Sequence, residues 1–229
     1  MIDFHSHILP CIDDGSKSTE EGVQLIGMLA RQGAEIIVAT PHYRANHETI
    51  DDFIERRQAS YEGLRSVLPD DAPKILLGAE VAFYEGISRL PDIKKLCIAG
   101  TNLLLIEMPV SKWTQYTVRE LEKIALSNGV VIVLAHIERY ISHHNMRFFS
   151  RLRENGILFQ SNASFFLNRF SRRKAFSLLQ GGYIQLFGSD CHNLTDRAPR
   201  LGMALSLISK KLGKEFTEKI DSYQRSLFS

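Results

Sequence analysis

Two periodicities alternate along the chain, one typical of β-strands and one typical of α-helices. Short runs of aliphatic and β-branched residues, of which residues 130–135 are the most apolar, predict strands that are buried on both faces. Between these runs, apolar residues recur every three or four positions, which predicts helices with one buried face. Seven strands are predicted in this way, over residues 2–7, 35–40, 74–78, 103–106, 130–135, 157–160 and 183–187.

Capping signals delimit the helices between these strands. Ser18, Thr49 and Thr117 are each followed three positions later by Asp or Glu, an arrangement that caps a helix N-terminus. Asn145 is predicted to cap a fourth helix, and Gly33 is predicted to end the first one in a left-handed conformation. Periodicity predicts further helices over residues 172–180, 199–212 and 214–227.

A strand followed by a helix is therefore the repeating unit of the chain. Seven such units predict a parallel β/α barrel that is complete or one unit short of eight, and an open doubly wound sheet fits the same pattern. A chain of 229 residues, of which 44% are apolar, is long enough to bury one sizeable core. We expect residues 1–229 to form a single α/β domain.

The charge balance and the cysteines narrow the class of protein. A net charge of +2 without a dense Lys/Arg stripe argues against a nucleic-acid-binding protein. No basic-then-apolar leader opens the chain, and residues 130–135 are far too few to span a bilayer, so we expect no membrane insertion. Cys11, Cys97 and Cys191 have no paired spacing, which fits a reducing compartment. We expect a soluble, cytoplasmic protein.

Metal-ligating residue types occur at or just after the C-terminal ends of the predicted strands. His5 and His7 alternate on the first strand and therefore project to the same face. In a parallel barrel all strand C-termini open onto one rim, so side chains from different strands meet there. With Asp14, which follows the first strand, the candidate ligands are His5, His7, Asp14, His42, Glu80, Glu107, His136, Asp190 and His192.

The number and chemistry of these ligands point to a cluster of cations. Nine candidates are too many for one tetrahedral zinc ion, and imidazoles with carboxylates suit manganese, iron or zinc. A carboxylate such as Glu80 can bridge, which would allow two or three divalent ions about 3.5–4 Å apart. Such clusters activate water and bind phosphoryl oxygens, so the sequence favours phosphoester hydrolysis.

The motifs that carry these ligands, taken together and in order, resemble the PHP (polymerase and histidinol phosphatase) superfamily. Within that superfamily, the Asp-Asp-Gly of residues 13–15, the string of residues 136–140 and the short length most resemble the bacterial manganese-dependent tyrosine-protein phosphatases of the CpsB/CapC/YwqE type. The resemblance covers essentially the whole chain. It rests on His5-x-His7, Thr40-Pro41-His42, Gly78-Ala79-Glu80, Ile106-Glu107, Ala135-His136-Ile137-Glu138-Arg139-Tyr140 and Ser189-Asp190-x-His192-Asn193.

The resemblance implies a distorted (β/α)7 barrel with a trinuclear site, with manganese as the first choice of metal. It implies that the substrate is a phosphotyrosine-containing protein, namely the tail of a bacterial tyrosine kinase that controls capsule or exopolysaccharide synthesis. Assembly as a homo-oligomer is left open. The implied ligand sets are His5, His7, Glu80 and Asp190 for one ion, Glu80, Glu107 and His136 for a second, and Asp14, His42 and His192 for a third.

Arginines close to the ligands are candidates for phosphate binding. Arg139 follows His136 by three residues and Arg197 follows His192 by five, and a guanidinium fork matches pairs of phosphate oxygens. We therefore predict that both act in catalysis, and Arg44 is a weaker candidate. Two loop aromatics, Trp113 and Tyr116, could wall the substrate ring, and the remaining histidines, at positions 47, 143 and 144, are expected to be solvated.

Three alternatives stay open at this point. Cys191 and Arg197 have the Cys-x5-Arg spacing of thiolate-dependent tyrosine phosphatases, although the five residues between them include no glycine and a carboxylate. A histidinol-phosphate or other small-molecule phosphatase would use the same metal site. A non-catalytic barrel that only binds a partner would keep the fold without the reaction.

Overall fold

A curled sheet of parallel strands, with helices packed outside it, forms the structure. The structure is a computed structural model that describes residues 1–228, apart from the side chains of residues 127 and 128. Its strands are β1 (Ile2–Ser6), β2 (Ile36–Ala39), β3 (His42–Tyr43), β4 (Lys74–Leu77), β5 (Glu80–Ala82), β6 (Leu103–Glu107), β7 (Val131–Leu134), β8 (Leu158–Asn162) and β9 (Leu186–Gly188).

Helices follow most of these strands, as the apolar periodicity predicts. Within residues 1–228, none of the helices is both long and apolar enough to cross a membrane. The α-helices are α1 (Thr19–Arg31), α2 (Ile50–Arg65), α3 (Gln115–Asn128), α4 (Met146–Glu154), α5 (Ala163–Leu167), α6 (Arg172–Gln180), α7 (Leu201–Leu212) and α8 (Lys214–Ser226). Single turns of 3₁₀-helix cover Ile87–Arg89, Ile93–Leu96 and Ile137–Arg139.

Nine strand segments are observed where seven were predicted, because two short strands that were not predicted, β3 and β5, follow predicted ones. The strand predicted over residues 35–40 is observed as β2, and β3 begins after Pro41, which has no N–H to donate to a ladder. The strand predicted over residues 74–78 is observed as β4, and β5 begins after residues 78 and 79. The strand orders are consequently β1-β2-β4 and β3-β5-β6-β7-β8-β9, all parallel.

Hydrogen bonds between β1 and the chain just after β9 bring the two edges of the sheet together. The N–H of Asp190 donates to the carbonyl of His5 at 2.8 Å, and the N–H of His7 donates to the carbonyl of Cys191 at 3.0 Å. The N–H of Ser189 also donates to Oδ1 of Asp3 at 2.8 Å. The distorted (β/α)7 barrel is thereby confirmed, and the open doubly wound sheet is not the architecture of this chain.

Apolar residues pack on both faces of the sheet, and alternate residues of β6 divide between them. Leu103 and Leu105 belong to a small cluster formed largely by the strands themselves, whereas Leu104 and Ile106 belong to a larger cluster that includes the helices. Because successive residues of a strand point to opposite faces, Glu107 continues the row of Leu103 and Leu105. Its carboxylate therefore stands above the packed interior, at the C-terminal rim.

Most predicted caps are observed, and that of α3 differs. Ser18, Thr49 and Asn145 each accept a hydrogen bond from the N–H three residues later. The prediction that Thr117 and Glu120 cap α3 is wrong, because Thr114 is the N-cap and forms a reciprocal pair with Thr117. The carboxylate of Glu120 instead accepts a hydrogen bond from the hydroxyl of Ser88 at 2.9 Å.

Close packing of β9 against β1 predicts that Gly188→Ala destabilises the protein. A Cβ at this position would lie 2.5 Å from Cβ of His5 and 2.7 Å from Nε2 of Gln160, so the backbone must shift. We expect the free energy of unfolding to fall by about 1–3 kcal/mol, measured by urea denaturation. Gly63→Ala in α2 is the matched control, because no atom lies within 4 Å of its Cβ.

The control substitution should raise the free energy of unfolding by about 0.5–1 kcal/mol, since alanine is the better helix former. If Gly188→Ala were as stable as Gly63→Ala, the close approach of β9 to β1 would be contradicted.

Candidate metal centre

Glu80 lies at the centre of the predicted ligands and is almost fully buried, with 1% of its side chain exposed. Its Oε2 is 3.2 Å from Nε2 of His5, 3.3 Å from Nε2 of His7 and 3.0 Å from Nδ1 of His42. Its Oε1 is 2.8 Å from Nε2 of His136. One carboxylate thus contacts imidazoles from three other strand ends.

Asp190 joins the same cluster from the end of β9. Its Oδ1 lies 3.7 Å from Nε2 of His5, 3.6 Å from Nε2 of His7 and 3.5 Å from Nδ1 of His192. The Nε2 atoms of His5 and His7 are themselves 3.1 Å apart. The two histidines of the first strand therefore aim at one point, as their alternation predicts.

Asp14 and Glu107 complete the set on opposite sides. Oδ1 of Asp14 lies 3.3 Å from Nε2 of His42 and 3.5 Å from Nε2 of His192. Oε1 of Glu107 lies 3.5 Å from Nε2 of His136. All nine predicted ligands are therefore connected in one cluster at the C-terminal rim.

The backbone at two strand ends adopts a conformation that directs ligands into the cluster. His136 has φ of 33° and Asp190 has φ of 50°, in the left-handed region that residues other than glycine rarely adopt. Such conformations cost about 1–3 kcal/mol each and persist where the surrounding structure holds them. Here the β1–β9 hydrogen bonds hold Asp190, and the N–H of His136 donates to Oε1 of Gln160 at 2.7 Å.

The donor atoms converge in a manner that fits divalent cations. Two buried imidazole nitrogens, Nδ1 of His42 and Nε2 of His192, lie 3.0 Å and 3.5 Å from carboxylate oxygens of Glu80 and Asp14, but neither forms a well-aligned hydrogen bond with a described residue. A buried polar atom without a partner is costly, and a cation would supply one. Donor atoms lie within 4.8 Å of one another in three sets, which are His7, Asp14, His42 and His192; His5, His7 and Asp190; and His42, Glu80 and Glu107.

These sets partly differ from those implied by resemblance. Asp14, His42 and His192 lie together as expected, with His7 added. Glu107 groups with Glu80 and His42, and its Oε1 also lies 3.5 Å from Nε2 of His136. The distribution of the ligands among individual ions therefore stays a prediction.

The electrostatics of the cluster favour a charged Glu80 and a protonated His7, whereas burial lowers the pKa of His136 and of His192. Burial opposes ionisation of Glu80, but His5 and His136 outweigh it and hold its pKa well below the usual value. Burial also opposes the charged form of His7, yet hydrogen bonds with Asp13 and Glu80 raise its pKa to about 10. Because a metal ion binds neutral imidazole, a cation must displace the proton of His7, which makes its binding dependent on pH.

Residues behind the ligands orient the imidazoles. Nδ1 of His7 lies 2.7 Å from Oδ2 of Asp13, which also accepts the N–H of His42 at 3.0 Å. Nδ1 of His5 lies 3.2 Å from Oε1 of Gln160. Contact partners of this kind fix the tautomer and the direction of a metal-binding histidine.

The orienting roles of Asp13 and Gln160, and those of Tyr140 and Asn162, were not predicted from the sequence. The hydroxyl of Tyr140 lies 3.1 Å from Nδ1 of His136, and Nδ2 of Asn162 donates to Oδ2 of Asp190 at 2.8 Å. A signal was available at the end of β8, where Gln160 and Asn162 alternate as the first strand's histidines do.

Arg139 and Arg197 lie at the mouth of the cluster, 35% and 38% exposed. Arg139 donates from Nη1 to Oε1 of Glu107 at 3.1 Å and from Nη2 to Oδ2 of Asp190 at 3.0 Å. Arg197 donates from Nη2 to Oδ1 of Asp190 at 2.8 Å. Two guanidinium groups therefore face the space above the ligands, where an anion would approach.

The weaker candidates, Arg44 and Trp113, lie in different surroundings. Arg44 is exposed and lines a polar recess of about 400 Å³ together with Asp14 and His42. Trp113 is buried and packs against Tyr140 rather than against the ligands. The expectation that His144 is solvated is wrong, because its ring packs against that of Trp113 with centroids 4.5 Å apart.

Comparison with known proteins identifies the family. The family model for capsular polysaccharide synthesis, CpsB/CapC, matches residues 1–225. This chain belongs to the CpsB/CapC family.

Named relatives cover nearly the whole chain. Tyrosine-protein phosphatase CpsB of Streptococcus agalactiae serotype III is 33% identical over 240 residues, covering 94% of this chain and 92% of that protein. Tyrosine-protein phosphatase YwqE of Bacillus subtilis is 29% identical over 220 residues, covering 94% and 86%.

A solved structure agrees with the sequence match. It comes from the crystal structures of YwqE from Bacillus subtilis and CpsB from Streptococcus pneumoniae, which are described as metal-dependent tyrosine phosphatases. It superposes with a TM-score of 0.85 at 25% identity, covering 100% of this chain and 94% of that one. The fold and the family are thus supported independently.

The environment of Cys191 argues against a thiolate nucleophile in this CpsB/CapC-family protein. Its side chain is fully buried, and burial raises the pKa of the thiol above its ordinary value. A cysteine nucleophile needs an accessible thiol with a lowered pKa. Cys191 instead belongs to the segment that closes the barrel against β1.

The contact between Asp13 and His7 predicts that Asp13→Asn weakens metal binding. The substitution removes the charge that holds the His7 ring, so we expect about tenfold to hundredfold lower affinity for Mn²⁺, measured by isothermal titration calorimetry. Asp71→Asn is the matched control, since Asp71 is exposed on the loop before β4. Equal affinity in the two variants would show that Asp13 does not orient a ligand.

Proposed function

We propose that this protein is a metal-dependent protein-tyrosine phosphatase, which hydrolyses the phosphomonoester of phosphotyrosine on a protein. The observation that carries the proposal is the convergence of nine imidazole and carboxylate side chains at one rim, with two arginines at its mouth. Relatives that cover nine-tenths of the chain are named tyrosine-protein phosphatases, which supports the same reaction.

The cofactor we propose is a set of two or three divalent cations, with manganese first and iron or zinc as alternatives. Once bound, such cations supply Lewis acidity to the phosphoryl oxygens and lower the pKa of water. Asp13, Gln160 and Tyr140 would keep three of the ligand imidazoles in position. The ligands would be His5, His7, Asp14, His42, Glu80, Glu107, His136, Asp190 and His192.

The two arginines would bind the transferring phosphoryl group. A guanidinium presents parallel N–H donors that match two phosphate oxygens, and Arg139 and Arg197 are exposed enough to reach a substrate. Guanidinium groups that are held in place at these oxygens would stabilise the negative charge of the transition state. The leaving group is a phenol with a pKa near 10, so it needs less help from a general acid than an alkyl alcohol does.

The substrate we propose is a phosphotyrosine-containing protein, and specifically a bacterial tyrosine kinase that controls capsule or exopolysaccharide synthesis. The family description, capsular polysaccharide synthesis, supports this biological setting. We infer a cytoplasmic location, no nucleic-acid partner and no membrane insertion. Assembly with further copies of the chain would be compatible with this function.

Metal dependence is the first test of the function. We expect EDTA to abolish phosphate release from a phosphotyrosyl peptide and Mn²⁺ to restore it, with elemental analysis of the same sample giving the metal content. Cys191→Ala should remain active, because the thiol takes no part. Turnover that survives EDTA and is lost in Cys191→Ala would reverse the assignment, and faster turnover of histidinol phosphate would indicate a small-molecule phosphatase.

The role of the arginines predicts the effect of substitutions that keep their charge. Arg139→Lys and Arg197→Lys remove the fork but not the positive charge, so we expect kcat to fall about 10²-fold in each. Steady-state kinetics with a phosphotyrosyl peptide measures this effect. Arg173→Lys, at an exposed position of α6, is the control that should match the wild type, and similar rates in all three variants would contradict the assigned role.

A further inference from the structure

A cleft of about 480 Å³ lies beside the metal centre, between the first turns of α3 and α4. We call it the rim cleft. Trp113 lines it while exposing only 7% of its surface, which places the indole at the bottom rather than at the edge. The residues that matter here are Lys112, Trp113, Arg119, His144, Phe148 and Arg151.

Aromatic rings form the apolar wall of the rim cleft. The ring centroid of Trp113 lies 4.5 Å from that of His144 and 5.6 Å from that of Phe148. The rings of His144 and Phe148 stack, with centroids 4.8 Å apart. The indole N–H donates to the carbonyl of Pro109 at 2.8 Å, which fixes the orientation of the largest ring. The wall is therefore a preformed surface for a planar apolar group.

Positive charge surrounds this aromatic wall. Lys112, Arg119 and Arg151 line the cleft, and none of the described lining residues is Asp or Glu. Arg151 lies 3.3 Å from Glu122, whereas Lys112 and Arg119 form no ion pair with a described residue. The N-cap residues of α3 and α4 also line the cleft, and helix N-termini add to a field that favours anions. Aromatic and cationic groups together select an aromatic anion.

Two packed aromatic rings, those of Trp113 and Tyr140, connect the rim cleft to the metal centre. The ring of Trp113 lies 5.0 Å from that of Tyr140, and the hydroxyl of Tyr140 lies 3.1 Å from Nδ1 of His136. A polypeptide with one side chain in the metal centre therefore runs close to the cleft. A second side chain of that polypeptide would reach it without the entropic cost of a separate association.

We propose that the rim cleft binds a second phosphotyrosine of the same substrate chain, one that is not being hydrolysed. This inference rests on the proposed function, because it takes the group hydrolysed in the metal centre as the group bound in the cleft. The phenyl ring packs against Trp113 and Phe148, and the phosphate pairs with Lys112 and Arg119. A plain acidic side chain would use the cations and leave the aromatic wall uncovered.

Peptides that carry one or two non-hydrolysable phosphotyrosine analogues test the inference by binding. Trp113 is the only tryptophan of the chain, so intrinsic fluorescence reports on the cleft directly. With the metal-loaded enzyme, we expect the peptide with two phosphonodifluoromethyl-phenylalanine residues to have a Kd about tenfold lower than the peptide with one.

Three proteins are compared in that titration. The Lys112→Gln/Arg119→Gln variant should lose the tenfold gain while binding the singly substituted peptide as the wild type does. Arg147→Gln is the matched control, because Arg147 is an exposed cation of α4 outside the cleft, and it should keep the gain. A peptide with glutamate at the second position should bind no more tightly than the singly substituted one.

The inference is overturned if the gain is absent in the wild type, persists in the double variant, or is reproduced by glutamate. Failure of the proposed function looks different, since it appears as no phosphate release from singly phosphorylated peptide even when the tighter binding of the doubly substituted analogue is intact. The readouts of turnover and of Kd therefore separate the two.

Discussion

The whole site depends on keeping one carboxylate, Glu80, charged inside the protein. An isolated buried carboxylate costs several kcal/mol of desolvation, so it persists only among hydrogen-bond donors or groups of opposite charge. Contacts with His5, His7, His42 and His136 provide these partners. These contacts depend on strand register. His42 on β3 contacts Glu80 because it is paired directly with Glu80 on the neighbouring strand β5. Glu80 can therefore stay charged only because the closed parallel sheet brings these imidazoles to it.

The sequence predicted the location of the site better than its internal arrangement. Strand alternation aimed His5 and His7 at one point, and apolar runs that stop at Glu107 and His136 marked the rim, because parallel strands end on the same side. Eight of the nine candidate ligands follow from that rule, and the ninth, Asp14, lies in the loop after β1. Distances do not follow from it, because they depend on register shifts such as the one between Asp3 and Ser6 in β1.

Features that depend on neighbours distant in sequence were not accessible from local patterns. Gln160 contacts His5, from which it is separated by 155 positions, so only the closed barrel reveals its role. The start of α3 was misplaced because Thr114 and Thr117 each accept the N–H of the other, which starts the helix three residues before the expected Thr-Glu cap. His144 looked solvated in a polar segment, yet tertiary packing places its ring against those of Trp113 and Phe148.

Charge balance explains why an anionic substrate and cations belong together at this rim. Four carboxylates, from Asp14, Glu80, Glu107 and Asp190, face two guanidinium groups, both of which already pair with Asp190. With neutral imidazoles this surface repels a phosphate dianion, because like charges a few ångströms apart interact strongly where water is excluded. Divalent cations bound among these carboxylates would reverse that sign. The carboxylates that would hold the metal would therefore make phosphate binding conditional on it.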